Sequence, residues 1–241
     1  MKIEKLLTSN SELAVDGILN WTLPAFGVKL SNGKNFNVCP NAGACAPFCY
    51  ARSGTYNFSN VKARHLANLE YVLDQPDQWF AQMSDEINTI KMAGKFVRIH
   101  DSGDFFSEDY LEMWMKIIRS ASHVGFYAYT KEVTMFRKIV EPNCPSNFRY
   151  LYSMGGKEDY LVDKERDRHA DVFVDEAAII AAGYMNQDHS DLLAPLLPTN
   201  KIGIIANNIR HYNKKMAGRT FSELQDERDQ KRIKRLKVND K

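Results

Sequence analysis

Apolar positions along this chain recur in two rhythms, one helical and one of short strand-like runs. Val61, Leu66, Leu69, Val72 and Leu73 fall at helical spacing. Pro76 then opens a second helical run, with Trp79, Phe80, Met83, Ile87 and Ile90 on its apolar stripe and Gly94 as its stop. Ser107, with acidic residues behind it, suits a helix N-cap and is followed by Tyr110, Leu111, Trp114, Ile117 and Ile118. Val133, Phe136 and Ile139 mark another helix, and an alanine-rich one falls near 175–182. Between these stand runs rich in β-formers: Lys95–His100, Val124–Tyr129, Phe148–Tyr152, Asp171–Val174 and Ile202–Ile205. With Asn35–Val38 as the first, in an otherwise irregular N-terminal stretch, they make six expected strands.

Strands alternating with helices predict βαβ units and a parallel sheet. The fold class expected is α/β, a partial (β/α)6 TIM-like barrel in a single domain over 1–215, with an open Rossmann-like sheet as the alternative. Residues 216–241 read as a basic helical or flexible tail, because Arg228–Lys237 carries six basic residues against one acidic. A solvated terminal helix is the plainer reading of that run than a nucleic-acid arm. The formal charge of +2 implies no partner by itself. No apolar run reaches the roughly 18 residues that span a bilayer, so no membrane partner is expected. The start Met1-Lys-Ile-Glu-Lys-Leu-Leu7 lacks the h-region of a signal peptide. The expected compartment is the cytoplasm, where thiols stay reduced.

That changes how the cysteines read. Three of the four, Cys39, Cys45 and Cys49, lie in "CPNAGACAPFCYA", separated by five and three residues. Clustered reduced thiols on a glycine- and proline-bearing loop suit a soft metal. A closed zinc site wants four ligands, so the trio fits either a [4Fe-4S] cluster with one open iron or zinc completed by Cys144, His65 or His100. Two further loops follow expected strands. His100-Asp-Ser-Gly-Asp104 offers Asp101 and Asp104 as acid, base or nucleophile, His100 as a group titrating near neutrality, and Gly103 for a tight turn. Ser153-Met-Gly-Gly156 can present backbone N–H groups to an anion. Ligands of parallel α/β folds bind beyond the carboxyl ends of the strands, which is where these three loops are expected. Tyr50 is one of several nearby aromatic residues that could stack on a base.

"CPNAGACAPFCYARSGTY", "RIHDSGDFFSEDYLEMW" and "YAYTKE" resemble the bacteriophage gene product 88 family. More distantly the chain is similar to phage proteins with a "GC..CYA" loop that resemble radical S-adenosylmethionine enzymes. That resemblance implies a host-cytoplasmic phage protein with Cys39, Cys45 and Cys49 on a [4Fe-4S] cluster. It also implies an S-adenosylmethionine site involving Gly103, Asp104, Tyr50, Ser153, Gly155 and Gly156, and radical chemistry on a nucleic acid or nucleotide. The spacing departs from that family's usual gaps of three and two residues. Asp101-Ser-Gly-Asp-Phe105 is also similar to the strand-end motif of tRNA-guanine transglycosylases. It implies catalytic Asp101, a structural zinc and deazaguanine insertion into DNA. A third class is a metal-stapled, non-enzymatic binding protein acting on a host factor. Oligomeric state has no signature in the sequence.

Overall fold

The structure, a computed structural model of the chain, describes residues 3–206 and 210–239. Met1 and Lys2 of the N-terminal stretch, 207–209 within the expected domain, and the last two residues of the expected tail lie outside them. The chain divides into two compact units, Met1–Pro40 with Tyr50–Tyr150, and Asn41–Cys49 with Leu151–Lys241.

The first unit opens with α1 (Ser11–Val15), β1 (Ile18–Trp21) and a two-stranded hairpin, β2 (Gly27–Lys29) with β3 (Asn35–Asn37). Then come α2 (Ser59–Asp74), α3 (Pro76–Ile87), β4 (Phe96–Ile99), α4 (Glu108–Ser120), β5 (Gly125–Thr130) and α5 (Val133–Ile139). The strand β6 (Phe148–Ser153) carries the chain from the first unit into the second. Strand order in the first unit is β1-β4-β5-β6. The second unit continues with β7 (His169–Phe173), α6 (Glu176–Ala181), β8 (Met185–Asn186), α7 (Leu193–Leu196), β9 (Lys201–Ile205), α8 (Arg210–Met216) and α9 (Phe221–Asn239), in strand order β6-β7-β9-β8. Among the described residues the protein is therefore mixed α/β with seven mostly parallel strands, and no helix is long and apolar enough to cross a membrane.

The first expected strand is misplaced. Asn35–Asn37 pairs antiparallel with Gly27–Lys29, and the first parallel strand is Ile18–Trp21. The reason is burial. β1 is covered at nearly every position, so Ile-Leu-Asn-Trp shows no alternation, whereas the half-exposed Asn-Phe-Asn alternates cleanly. The cysteine loop accordingly follows a hairpin strand. The two-residue β8 is too short to leave a pattern in the sequence.

Register gives the first unit two unlike faces. Leu19, Val97 and Phe126 align in one row and Trp21, Ile99 and Ala128 in another. Trp21, on this apolar face, packs on Trp79 of α3 with ring centroids 5.8 Å apart, and Trp79 meets Trp114 of α4 at 5.4 Å. The Oγ of Ser107 caps α4 by accepting the N–H of Tyr110. The opposite face carries the row Asn20, Arg98 and Tyr127, a polar surface where a parallel sheet ordinarily buries aliphatic side chains. Trp79, fully buried, is central to the apolar layer. Trp79→Ala is expected to cost about 3–5 kcal/mol, read as a lower urea midpoint; a loss below about 1 kcal/mol would contradict this packing.

Candidate functional site

At the carboxyl end of β4 the chain leaves the sheet through His100, a non-glycine residue at φ +65°. Its backbone N–H still donates to the Trp21 carbonyl at 2.9 Å, extending the parallel ladder by one bond. Its ring is fixed from α4. The indole Nε1–H of Trp21 donates to the Tyr110 hydroxyl at 2.8 Å, and that hydroxyl lies 2.8 Å from His100 Nε2. The phenol and Nε2 share one hydrogen bond whose direction follows the imidazole tautomer, and Nδ1 is buried without a hydrogen-bond partner among the described residues. Burial pushes His100 down to about 3, so it is neutral at physiological pH. The expected titration near neutrality is corrected, because burial removes the solvation that the charged imidazole would need.

The next residues separate the two candidate carboxylates. Asp101 is 8% exposed. One carboxylate oxygen accepts the Thr22 hydroxyl, the other accepts the Tyr56 hydroxyl at 3.2 Å, and the Asp101 carbonyl accepts the Tyr50 hydroxyl. Asn20 Nδ2 donates to Thr22 Oγ1 at 2.9 Å and Asn68 Nδ2 to the Thr22 carbonyl at 2.8 Å, so the group holding Asp101 is itself held. The Tyr56 ring lies 5.6 Å from that of Tyr50 and 5.8 Å from that of His65. Burial first, then Tyr50 and Asp101, raises the Tyr56 phenol far above its ordinary range. Burial lowers His65 despite the pull of Asp101. The result is a carboxylate faced by a permanently protonated phenol and a neutral imidazole, with lone pairs left to accept from a ligand.

Asp104 does different work. Its carboxylate accepts the Phe105 N–H at 2.8 Å, the Thr130 hydroxyl at 2.8 Å and the Lys131 N–H at 2.9 Å. Burial raises its pKa against those bonds, and its role is to pin the loop after β5 to the loop after β4. Gly103 is at φ +87°, and a Cβ there would fall 2.7 Å from Leu23 Cβ, so both conformation and space require glycine.

All four cysteines are thiols outside any disulfide, Cys39, Cys45 and Cys49 half-buried and Cys144 exposed. Cys39 belongs to the first unit, where its Sγ accepts the Phe26 N–H at 3.4 Å. That is the kind of bond that tunes metal-bound sulfur, and Phe26 adopts φ +56° at this point. The thiol chemistry fits a soft metal. Among the described residues, however, no three His, Cys, Asp or Glu side chains are gathered as a ready metal site.

In the second unit the loop Asn41–Cys49 is knitted to Ser153–Lys157. The Gly155 carbonyl accepts the N–H groups of Gly43 and Cys45, each at 3.1 Å, and the Asn41 carbonyl accepts that of Lys157 at 2.8 Å. The N–H groups of Gly155 and Gly156, expected to face an anion, donate instead to the Asp159 carboxylate at 2.7 and 2.8 Å. That loop braces the cysteine segment with its own anion in place. Thr22 carries no signal in the sequence and Tyr56 reads there only as one of several aromatic residues near the loops, since what gives both meaning is their contact with Asp101.

The profile of the family described as Gene product 88 matches residues 2–236. This chain belongs to that family. Its relatives include the gene 88 protein of Mycobacterium phage D29, 34% identical over 124 residues, which are 46% of this chain and 49% of that one. The gene 88 protein of Mycobacterium phage L5 is 32% identical over 124 residues, with the same two shares of 46% and 49%. The chain thus matches about half the length of these curated relatives. No solved structure matches it. The family's phage membership accords with the first resemblance drawn from the sequence.

The His100 assignment has a pH signature. The unfolded chain takes up a proton near the ordinary value of 6.5 while the folded one resists until about 3. Stability contributed by neutral His100 is therefore present above 6.5 and is lost as pH falls through that window. His100→Asn, which tolerates the left-handed backbone, should flatten the acid limb of the stability curve by about 1.4 kcal/mol per pH unit. Parallel curves for the two proteins would contradict it.

Proposed function

We propose that this chain is an iron–sulfur enzyme of radical S-adenosylmethionine type, acting on a nucleic acid or nucleotide. Cys39, Cys45 and Cys49 are its iron ligands, and the six-strand partial barrel expected from the sequence is part of the same reading. The observation that supports it is the state of these thiols: three within eleven residues, all half-buried and outside any disulfide. A cluster held by three thiolates would supply an electron and leave one iron open to a cofactor.

The chain's own residues divide the remaining work. Asp101, with Tyr56 protonated beside it and Thr22 fixing its other oxygen, accepts hydrogen bonds from a ligand at the strand ends of the first unit. Tyr50, 37% exposed and holding the Asp101 carbonyl, offers a ring for a base to stack on. Gly103 and Asp104 fix the loop's path, with Asp104 acting through Lys131 and Thr130. The nucleic-acid substrate class draws support from α9, whose basic residues Arg228, Lys231, Arg232, Lys234, Arg235 and Lys237 are all exposed.

Metal analysis of the anaerobically purified chain tests this reading. Expected are a brown protein with about four iron and four sulfide per chain, and loss of both colour and iron in Cys45→Ser. A colourless protein carrying a single zinc would overturn the proposal and favour a zinc-bearing base-exchange enzyme. Asp101→Ala would then separate that enzyme, which loses exchange, from a metal-stapled binding protein, which loses only stability.

A further inference from the structure

The residues expected to form a basic tail begin as one of the most firmly anchored elements of the second unit. Thr220 and Glu223 make a reciprocal cap at the start of α9: the Glu223 carboxylate accepts the Thr220 N–H at 2.8 Å, and the Thr220 hydroxyl accepts the Glu223 N–H at 3.2 Å. Asp171 of β7, itself buried, accepts the Ser222 N–H at 3.2 Å, placing a carboxylate at the positive end of the helix. The Phe221 ring lies 5.8 Å from that of Phe48 in the cysteine segment. One turn further along α9 is Gln225, 1% exposed.

A glutamine side chain is costly to bury unless both ends of its amide are bonded. Here both are. Nε2 donates to Asp229 at 3.0 Å, and Oε1 accepts the N–H of Ala44 at 2.7 Å. A carboxylate only accepts, so Asp229 fixes which end of the amide is the donor and turns Oε1 toward the loop. Ala44 lies between Gly43 and Cys45 and is itself buried. A Cβ on Gly43 would collide with Gln225 Oε1 and lie 2.8 Å from the Gly155 carbonyl. The loop is thus gripped from two sides, by the Gly155 carbonyl and by Gln225.

We propose that Gln225 is a positioning residue for the cysteine loop: by satisfying the buried Ala44 N–H it holds Cys45 and Cys49 in a preset backbone path for metal capture. The metal is that of the function proposed above, and the latch is a separate claim about the loop. Deleting the acceptor leaves a buried N–H without a partner, and the loop must open to hydrate it. A covalently distant helix then governs metal affinity without contributing a ligand, in the manner of outer-shell partners that change affinity by about 10–100-fold.

The test uses the full chain, metal-free and reduced, and follows alkylation of each cysteine by mass spectrometry. Gln225→Ala and the near-isosteric Gln225→Met should each raise the rates at Cys45 and Cys49 by about tenfold or more, the gain in loop opening that a buried unpaired N–H implies, with the exposed Cys144 unchanged as the internal control. Gln225→Glu combined with Asp229→Asn keeps an acceptor toward Ala44 and a donor between the two side chains, and should restore the slow rates. Wild-type rates in both single variants would overturn the proposal, as would a double variant that alkylates as fast as Gln225→Met. If Gln225→Ala does not fold, Gln225→Met and the hydrogen exchange of the Ala44 amide decide the same question. A wild-type chain that binds no iron yet shows the alkylation pattern would retire the iron–sulfur reading and keep the latch. Iron bound with equal affinity by wild type and Gln225→Met would overturn the latch and keep the iron–sulfur reading.

Discussion

The phenol of Tyr110 joins the apolar layer of the first unit to its strand-end loop. It accepts the Trp21 indole proton and meets His100 Nε2, each at 2.8 Å, inside a fully buried aromatic layer. His100 occupies a left-handed backbone conformation that a β-strand residue does not adopt unaided. The bond to Tyr110 and the ladder bond from its own N–H to Trp21 keep it there. From that bend the chain turns Asp101 toward Thr22 and Tyr56 and sends Asp104 into its three-donor pocket. One buried hydrogen-bonded pair therefore couples the packing of α4 on the sheet to the direction in which the carboxylates point.

The loop His100–Asp104 contains two carboxylates that are alike in sequence and opposite in use. Asp104 is the counterpart of three donors supplied by its own loop and the next, and a carboxylate so enclosed serves structure. Among the described residues Asp101 takes two side-chain hydroxyls, and it stands with Tyr50, Tyr56 and His65, in a neighbourhood where Arg98 of the polar row also acts on Tyr56. The second unit shows the same economy with backbone groups. Its glycine loop at 153–156 has N–H groups filled by Asp159 and a carbonyl spent on Gly43 and Cys45. The loop's chemistry is directed inward, at holding the cysteine segment.

Much of this organisation is legible in the residues. The helical stripes of α2 and α4, that of α3 as far as Ile87, the Ser107 cap and the strands β4, β5 and β9 follow from spacing, because each buries one face or lies between clear punctuation. The helix α3 stops at Ile87, short of the expected Gly94, and Ile90 is exposed instead of lying on its apolar stripe. β1 stays hidden because burial at nearly every position erases alternation, and β3 passes for a sheet strand because a half-exposed hairpin alternates well. Gly103 reads as a turn glycine from its neighbours, and the φ of +87° with Leu23 close behind shows why. The neutral state of His100 is not legible, since it depends on burial and not on residue type. The function of Gln225 is equally out of reach: its partner Ala44 lies 181 positions away, and a basic helix gives no hint that its first turns are interior.

The central claim, that Cys39, Cys45 and Cys49 hold an iron–sulfur cluster, is most directly tested by iron-edge X-ray absorption on the anaerobically purified chain. The expected spectrum shows a sulfur shell around iron and a second, short iron–iron shell, both lost together when any one of the three cysteines is replaced by serine. Iron absent from the protein, or surrounded only by nitrogen and oxygen, would contradict the claim.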